Sequence, residues 1–210
     1  MFMPGKSAIL PFPRFLIAGL LALCGLPASA QLRPADVSPV NVVLQTEEGA
    51  ITVALDLARA PITSRNFLRY VDERRFDGTA FYRSLDYGDG IGLIQGGTRG
   101  DPARKLTPIV HESTTMTGLA HVEGAISMAR YAPGSATGDF FITTTKIDSL
   151  DANPAQPGDN EGFAVFGRVV SGMDVVLKIL VAPRSETDGE GSMRGQMLAP
   201  PVRILRAHRE

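Results

Sequence analysis

The 210-residue chain has one cysteine, three histidines, no tryptophan and only one long apolar run. That run, Phe15 to Leu26 (FLIAGLLALCGL), contains the cysteine, Cys24. Lys6 and Arg14 are the only charged side chains before it, and Ala28-Ser29-Ala30 follows. A basic start, a short apolar core and an A-x-A site are the parts of a secretory signal peptide, so residues 1–30 are expected to be one. A spanning helix needs about 20 apolar residues, and Pro27 ends this run before that. Leu23 stands where a lipid-acceptor site takes a small residue, so lipid anchoring at Cys24 is not expected. Cleavage after Ala30 leaves 180 residues without cysteine. This excludes disulfides, a thiolate nucleophile and cysteine-ligated metal from the mature chain. The expected location is the periplasm, or the exterior of a cell without an outer membrane, and no stable membrane insertion is expected once the signal is removed.

The mature chain would carry 19 basic and 22 acidic residues, a net charge near −3. No basic excess offers itself to nucleic acid. His111, His121 and His208 form no short-spaced ligand pair, although His111 and Glu112 are adjacent, and Asp86, Asp89 and Asp101 lack calcium-loop spacing. Neither a metal nor a cofactor is therefore expected. A G-x-S-x-G nucleophile motif is absent, though a Ser–His–acid site assembled by the fold would leave no local trace.

What is present reads as short strands. Residues 31–40 (QLRPADVSPV) form a polar, proline-bearing tether ahead of one domain, 41–210. Val42-Val43-Leu44, the Thr46–Gly49 turn and Ile51 to Leu55 make a hairpin pattern. Pro61 suits a first helical turn, and Phe67, Leu68 and Val71 give 61–73 an apolar stripe. Strands are expected over 79–85, 92–96, 124–130, 139–144, 163–170 and 202–205, with a second helix capped by Ser171 and a long mobile loop over 183–200. Seven or eight strands with two helices point to an antiparallel sheet, whose closure into a barrel would remove its edges.

The stretch FYRSLDYGDGIGLIQGGTRGD, residues 81–101, crowds Gly88, Gly90, Gly92, Gly96 and Gly97 behind Arg83. A dinucleotide loop fails because its third glycine falls on Leu93 or Gln95, and a P-loop fails because Thr98 stands where lysine is required. The glycines are expected instead to serve a tight loop at 88–92 and a close backbone approach at 96–97.

Phe81-Tyr82-Arg83, Leu93-Ile94-Gln95-Gly96-Gly97, Gly124 to Ala129, Gly138-Asp139-Phe140-Phe141-Ile142 and Phe166-Gly167-Arg168-Val169 together resemble the cyclophilins, the peptidyl-prolyl cis-trans isomerases, over about 41–207. The resemblance implies a closed eight-stranded antiparallel β-barrel capped by two α-helices. It implies an enzyme that speeds rotation of X-Pro bonds with Arg83 as catalytic arginine and Gln95 orienting it. Phe141, Leu93 and Leu150 would line the proline pocket, with Tyr82 and Phe163 at its margins. Ala129 and Arg130 would offer backbone contacts to residues preceding proline. The partners implied are proline-containing peptides and unfolded exported proteins, met by a monomer. The alternative is a cyclophilin-fold peptide-binding module or holding chaperone with little isomerase activity.

Four departures bear on that site. About four extra residues lie between Arg83 and Gln95, and Gly92 replaces a pocket phenylalanine, leaving Tyr87 of the longer loop to restore an aromatic wall. Asp139 replaces a common glutamine, so a carboxylate is expected near Arg83, either pairing with the arginine or orienting it. Ser149 stands where cyclosporin-sensitive members have tryptophan, which implies weak cyclosporin binding.

Overall fold

The computed structural model describes residues 38–210; the expected signal peptide and most of the tether lie outside them. The chain runs β1 (Val40–Thr46), β2 (Gly49–Leu55), α1 (Pro61–Asp72), β3 (Ala80–Asp86), β4 (Gly92–Gly97), α2 (Thr114–Thr117), β5 (Ala125–Met128), β6 (Asp139–Thr143), β7 (Ala164–Ser171), α3 (Met173–Leu180), β8 (Arg184–Ser185) and β9 (Met197–Arg209). Neighbours follow the order β1-β2-β7-β5-β6-β4-β3-β9, every pairing is antiparallel, and β1 pairs with β9 to close the sheet. The result is a closed eight-stranded barrel, with β8 adding two residues alongside β9.

Alternation explains the interior. Val42 and Leu44 of β1, and Ile51, Val53 and Leu55 of β2, point inward at every second position and are fully buried. Phe67 of α1 plugs one end, its ring 5.0 Å from Phe76, 5.3 Å from Phe140 and 5.2 Å from Phe166. Val175, Val176, Ile179 and Leu180 of α3 join the same core.

The first turn of α1 has no side-chain cap of its own at Ala60. The buried Glu112 carboxylate supplies one from fifty residues away, accepting from the Ile62 amide at 3.1 Å, the Thr63 amide at 2.8 Å and the Thr63 hydroxyl at 2.7 Å. An anion at a helix N-terminus satisfies orphan amides and the helix dipole together. Neighbouring His111 turns instead to the Glu161 carbonyl, 2.9 Å away.

The structure corrects four boundaries. Ser171 pairs with Thr52 as the last residue of β7, and the cap of α3 is Gly172 with φ of 88°. A side chain at Gly172 would overlap the Ala50 carbonyl oxygen, so the tight entry selects glycine. The last strand extends over Met197–Arg209 rather than 202–205. Pro200 and Pro201 hid its first half, because they occupy the place where its register with β3 jumps from Phe81↔Val202 to Arg83↔Met197. The segment 183–200 is thereby partly ordered, holding β8, a 3-10 turn at Gly191–Met193 and the start of β9. The one-turn helix α2 was not expected, and Val40 of the supposed tether already belongs to β1.

Candidate active site

Arg83, Gln95, Phe141 and Ser127 are successive Cα partners across β3, β4, β6 and β5. They form one row on the barrel's outer face. A register shift between Phe81 and Arg83 makes this possible. Without it, alternation would send Arg83 to the same side as the core residue Phe81; with it, Tyr82 and Arg83 both lie outside. Leu93 lies two residues before Gln95 on the same face. Leu93, Phe141 and Tyr82 are all buried, yet none belongs to the barrel's core cluster.

The guanidinium of Arg83 is held from two sides. Its Nη1 donates to Gln95 Oε1 at 2.7 Å, while Nε and Nη2 donate to Gln196 Oε1 at 2.9 and 2.7 Å. An arginine only donates, which fixes the orientation of both amides. Gln95 Nε2 then donates to the Tyr82 hydroxyl at 2.8 Å. Burial lowers the Arg83 pKa, though a guanidinium stays cationic at any ordinary pH. Burial and then the nearby Asp139 carboxylate push the Tyr82 phenol upward, so it stays protonated.

Phe141 is packed from two directions. The His121 ring stacks on it with centroids 5.7 Å apart and planes at 10°, and Phe163 meets it edge-on at 5.4 Å. His121 is itself fully buried. Its Nδ1 lies 2.6 Å from Asp151 Oδ1 and its Nε2 lies 3.0 Å from Ser127 Oγ. Since a carboxylate only accepts, the neutral ring carries its proton on Nδ1 and accepts from Ser127 at Nε2. This is the hydrogen-bond order of a hydrolytic triad, but Ser127 has no exposed surface and stands beside Phe141 on the neighbouring strand. The relay supports the aromatic floor. Half-buried Leu150 accepts the Phe163 amide at 3.0 Å on its carbonyl, placing the two residues side by side.

The cyclophilin type peptidyl-prolyl cis-trans isomerase family model matches residues 41–209. The chain belongs to the cyclophilins. It is 37% identical over 168 residues to a peptidyl-prolyl cis-trans isomerase of Acinetobacter baylyi, covering 78% of this chain and 82% of that one. It is 35% identical over 167 residues to peptidyl-prolyl cis-trans isomerase A of Dickeya dadantii, covering 78% and 83%. A crystal structure of a cyclophilin type peptidyl-prolyl cis-trans isomerase from Cryptosporidium parvum matches with a TM-score of 0.64 at 18% identity, covering 82% of this chain and 98% of that one. The chain is thus a peptidyl-prolyl cis-trans isomerase on a cyclophilin barrel.

Within the cyclophilin frame, the departures resolve individually. Asp139 forms no ion pair with Arg83, correcting the first of the two expectations for it. It pairs with Gly97, two residues along from Gln95, and its Oδ1 accepts the Arg99 amide at 2.6 Å. Burial raises its pKa, offset in part by the Arg99 and Gly100 amides and the Tyr82 hydroxyl. Asp139 therefore reaches the arginine only through Tyr82 and Gln95. Ala129 donates its amide to the Asp139 carbonyl at 2.9 Å. The Arg130 side chain grips Asp159 at 2.6 and 3.0 Å and lies over the Phe163 ring at 5.1 Å, so it packs at the margin of the site.

The extra residues lengthen the β3–β4 hairpin, whose tip is closed by Tyr87 N–H to the Ile91 carbonyl and Ile91 N–H to the Gly88 carbonyl, both 2.9 Å. Tyr87 is 67% exposed and forms no pocket wall. At Gly92 the Leu85 carbonyl oxygen occupies the place of a Cβ. Gly92→Phe is therefore expected to destabilise the protein by at least about 2 kcal/mol rather than rebuild an aromatic wall, as a urea unfolding curve will register. At Gly96, as expected, the neighbouring strand comes close: a Cβ would stand 2.9 Å from the Phe81 ring.

Burial also holds the His121 imidazole below the ordinary histidine range, against the opposing pull of Asp151. Between its folded value and the unfolded value of about 6.5, the unfolded chain binds the extra proton, so stability falls as pH falls. Asp139 acts in the opposite sense, because burial raises its carboxyl. The urea midpoint is expected to drop between about pH 7.5 and about pH 5, and His121→Gln should flatten that part of the profile.

Gln196 carries no local signal in the sequence. It sits in a Gly-, Pro- and charge-rich stretch with no periodicity, and its only signal is three-dimensional: Met197, its neighbour, is the β9 partner of Arg83.

Proposed function

We propose that this isomerase acts on X-Pro bonds of unfolded proteins outside the cytoplasm, with Arg83 as the catalytic group. One observation carries the residue assignment: a guanidinium fixed between two glutamine carbonyl oxygens in the same cross-strand row as an aromatic floor. Rotation about a peptide bond must break amide resonance, a barrier of about 18–20 kcal/mol. In the twisted amide the prolyl nitrogen regains its lone pair and becomes a hydrogen-bond acceptor. Three N–H groups of Arg83 are used to fix its plane, and the remaining ones are available to meet that lone pair. Because neither planar ground state offers it, the interaction favours the transition state. Phe141, Leu93, Leu150 and Phe163 supply apolar surface for the proline ring, and Ala129 lies two residues beyond Ser127 of the row, for the preceding backbone. No covalent bond changes in the reaction, so it needs neither nucleophile nor cofactor.

Export is supported by the signal-like residues 1–30 and by the cysteine-free chain that follows. Refolding of a denatured protein whose slow phase is prolyl isomerisation is the direct test: wild type is expected to accelerate that phase and Arg83→Ala is not. Protection from aggregation that survives Arg83→Ala, without acceleration, would replace this reading by a holding chaperone. Fractionation and N-terminal sequencing of the expressed protein are expected to find a periplasmic chain beginning at Gln31. The protein is expected to act as a monomer, which its sedimentation at working concentration will show.

A further inference from the structure

Beside the catalytic row lies a cavity of about 420 Å³, lined by Tyr82, Arg99, Asp188, Gly189 and the Met197–Pro201 segment. A second, of about 240 Å³, shares Tyr82, Arg99 and Pro201 with it. Neither is lined by Phe141, Leu93 or Leu150, so this is not the proline pocket. The larger volume is that of an ordinary ligand site, roughly 300–1,000 Å³.

Its walls are specific. The floor is apolar, made of Tyr82, the buried Met197 and Leu198, and two prolines. The Arg99 guanidinium lies over the Tyr82 ring at 5.5 Å and forms no ion pair among the described residues. Asp188 lines the other side, on a loop closed by its amide donating to Ser185 Oγ at 3.1 Å and its carbonyl accepting from Gly195 at 3.0 Å. Thr98, on the smaller cavity, is 4% exposed and its hydroxyl is buried without a hydrogen-bond partner among the described residues. A donor and an acceptor beside an apolar floor match an extended main chain, which offers a carbonyl to Arg99, an amide to Asp188 and an apolar side chain to the floor.

The position selects the occupant. Met197 is the β9 partner of Arg83, Gln196 beside it holds the guanidinium, and Tyr82 is shared by cavity and site. A chain with its X-Pro bond at Arg83 has its flanking residues within reach of this cavity. We propose that the cavity is an exosite for an uncharged, extended segment flanking the prolyl bond of the same chain. The inference rests on the isomerase reading and adds length selection to it: unfolded polypeptides are favoured over short peptides.

The test compares the tetrapeptide Ala-Ala-Pro-Phe with an extended peptide carrying that sequence between uncharged, apolar-rich flanks. Wild type is expected to favour the extended peptide in kcat/KM by about tenfold. Arg99→Asn with Asp188→Asn is expected to abolish that preference and leave the tetrapeptide within about twofold. Asparagine suits position 99, where φ is 51°. A preference that persists, or a tetrapeptide rate that falls in step, overturns the exosite. Anisotropy of the fluorescein-labelled extended peptide reads the same contact without catalysis. About tenfold weaker binding in the double variant supports the proposal, and unchanged binding overturns it even if no isomerase activity is found.

Discussion

Replacing Arg83 by alanine is expected to lower kcat/KM for a proline tetrapeptide by about 100- to 1,000-fold, the usual cost of removing a preorganised donor from a transition state. The loss should fall on kcat more than on KM, since the planar substrate offers the guanidinium little to bind. Arg83→Lys is expected to recover little. An ammonium keeps the charge but lacks the planar fork that Gln95 and Gln196 hold from opposite sides. Gln196→Leu probes the holding itself: it frees Nε and Nη2 while leaving Arg83 in place, and about tenfold of kcat is expected to go with it. A protease-coupled assay on purified variants with native circular dichroism reads all three. Equal rates for wild type and Arg83→Ala would remove the arginine from the mechanism.

Phe67→Ala is expected to cost about 3–5 kcal/mol of stability, the range for deleting a fully buried aromatic ring. Phe67 touches three other rings at 5.0–5.3 Å, those of Phe76, Phe140 and Phe166, and has no exposed surface. Domains of this kind are stable by only about 5–15 kcal/mol, so the variant would sit close to its unfolding transition. The effect should reach the site as well. Phe140 and Phe141 are adjacent on β6, one packing inward on Phe67 and the other outward under the catalytic row. Urea unfolding followed by near-ultraviolet circular dichroism measures the loss. A midpoint displaced by less than the equivalent of about 1 kcal/mol would mean that the barrel end repacks around the gap.

The contrast between these two residues shows what the sequence makes legible. The barrel strands were readable because alternation at Val42, Leu44, Ile51, Val53 and Leu55 is local, and α1 because Pro61, Phe67 and Val71 keep helical spacing. Arg83, Gln95 and Phe141 were found through the family resemblance of their surrounding blocks; the structure places them as cross-strand neighbours. What stayed hidden depends on distant partners. Glu112 caps a helix fifty residues before it, His121 meets Asp151 and Ser127 under an aromatic ring, and Gln196 arrives from a segment that looks like plain loop. The prolines that cut β9 short in the sequence reading mark a register jump, a feature of two strands together that neither announces alone.

The closure of the barrel bears on what a truncated chain would lose. Its seam joins the first strand to the last, and that last strand also completes the flank of β3. A chain cut short before Gln196 would keep Arg83 and Gln95 but lack both the seam and one of the two holds on the guanidinium. Two strand edges, those of β1 and β3, would stay open in it, a condition that invites mispairing. Strand β9 therefore couples closure of the barrel to the holding of Arg83, so that loss of the one is loss of the other.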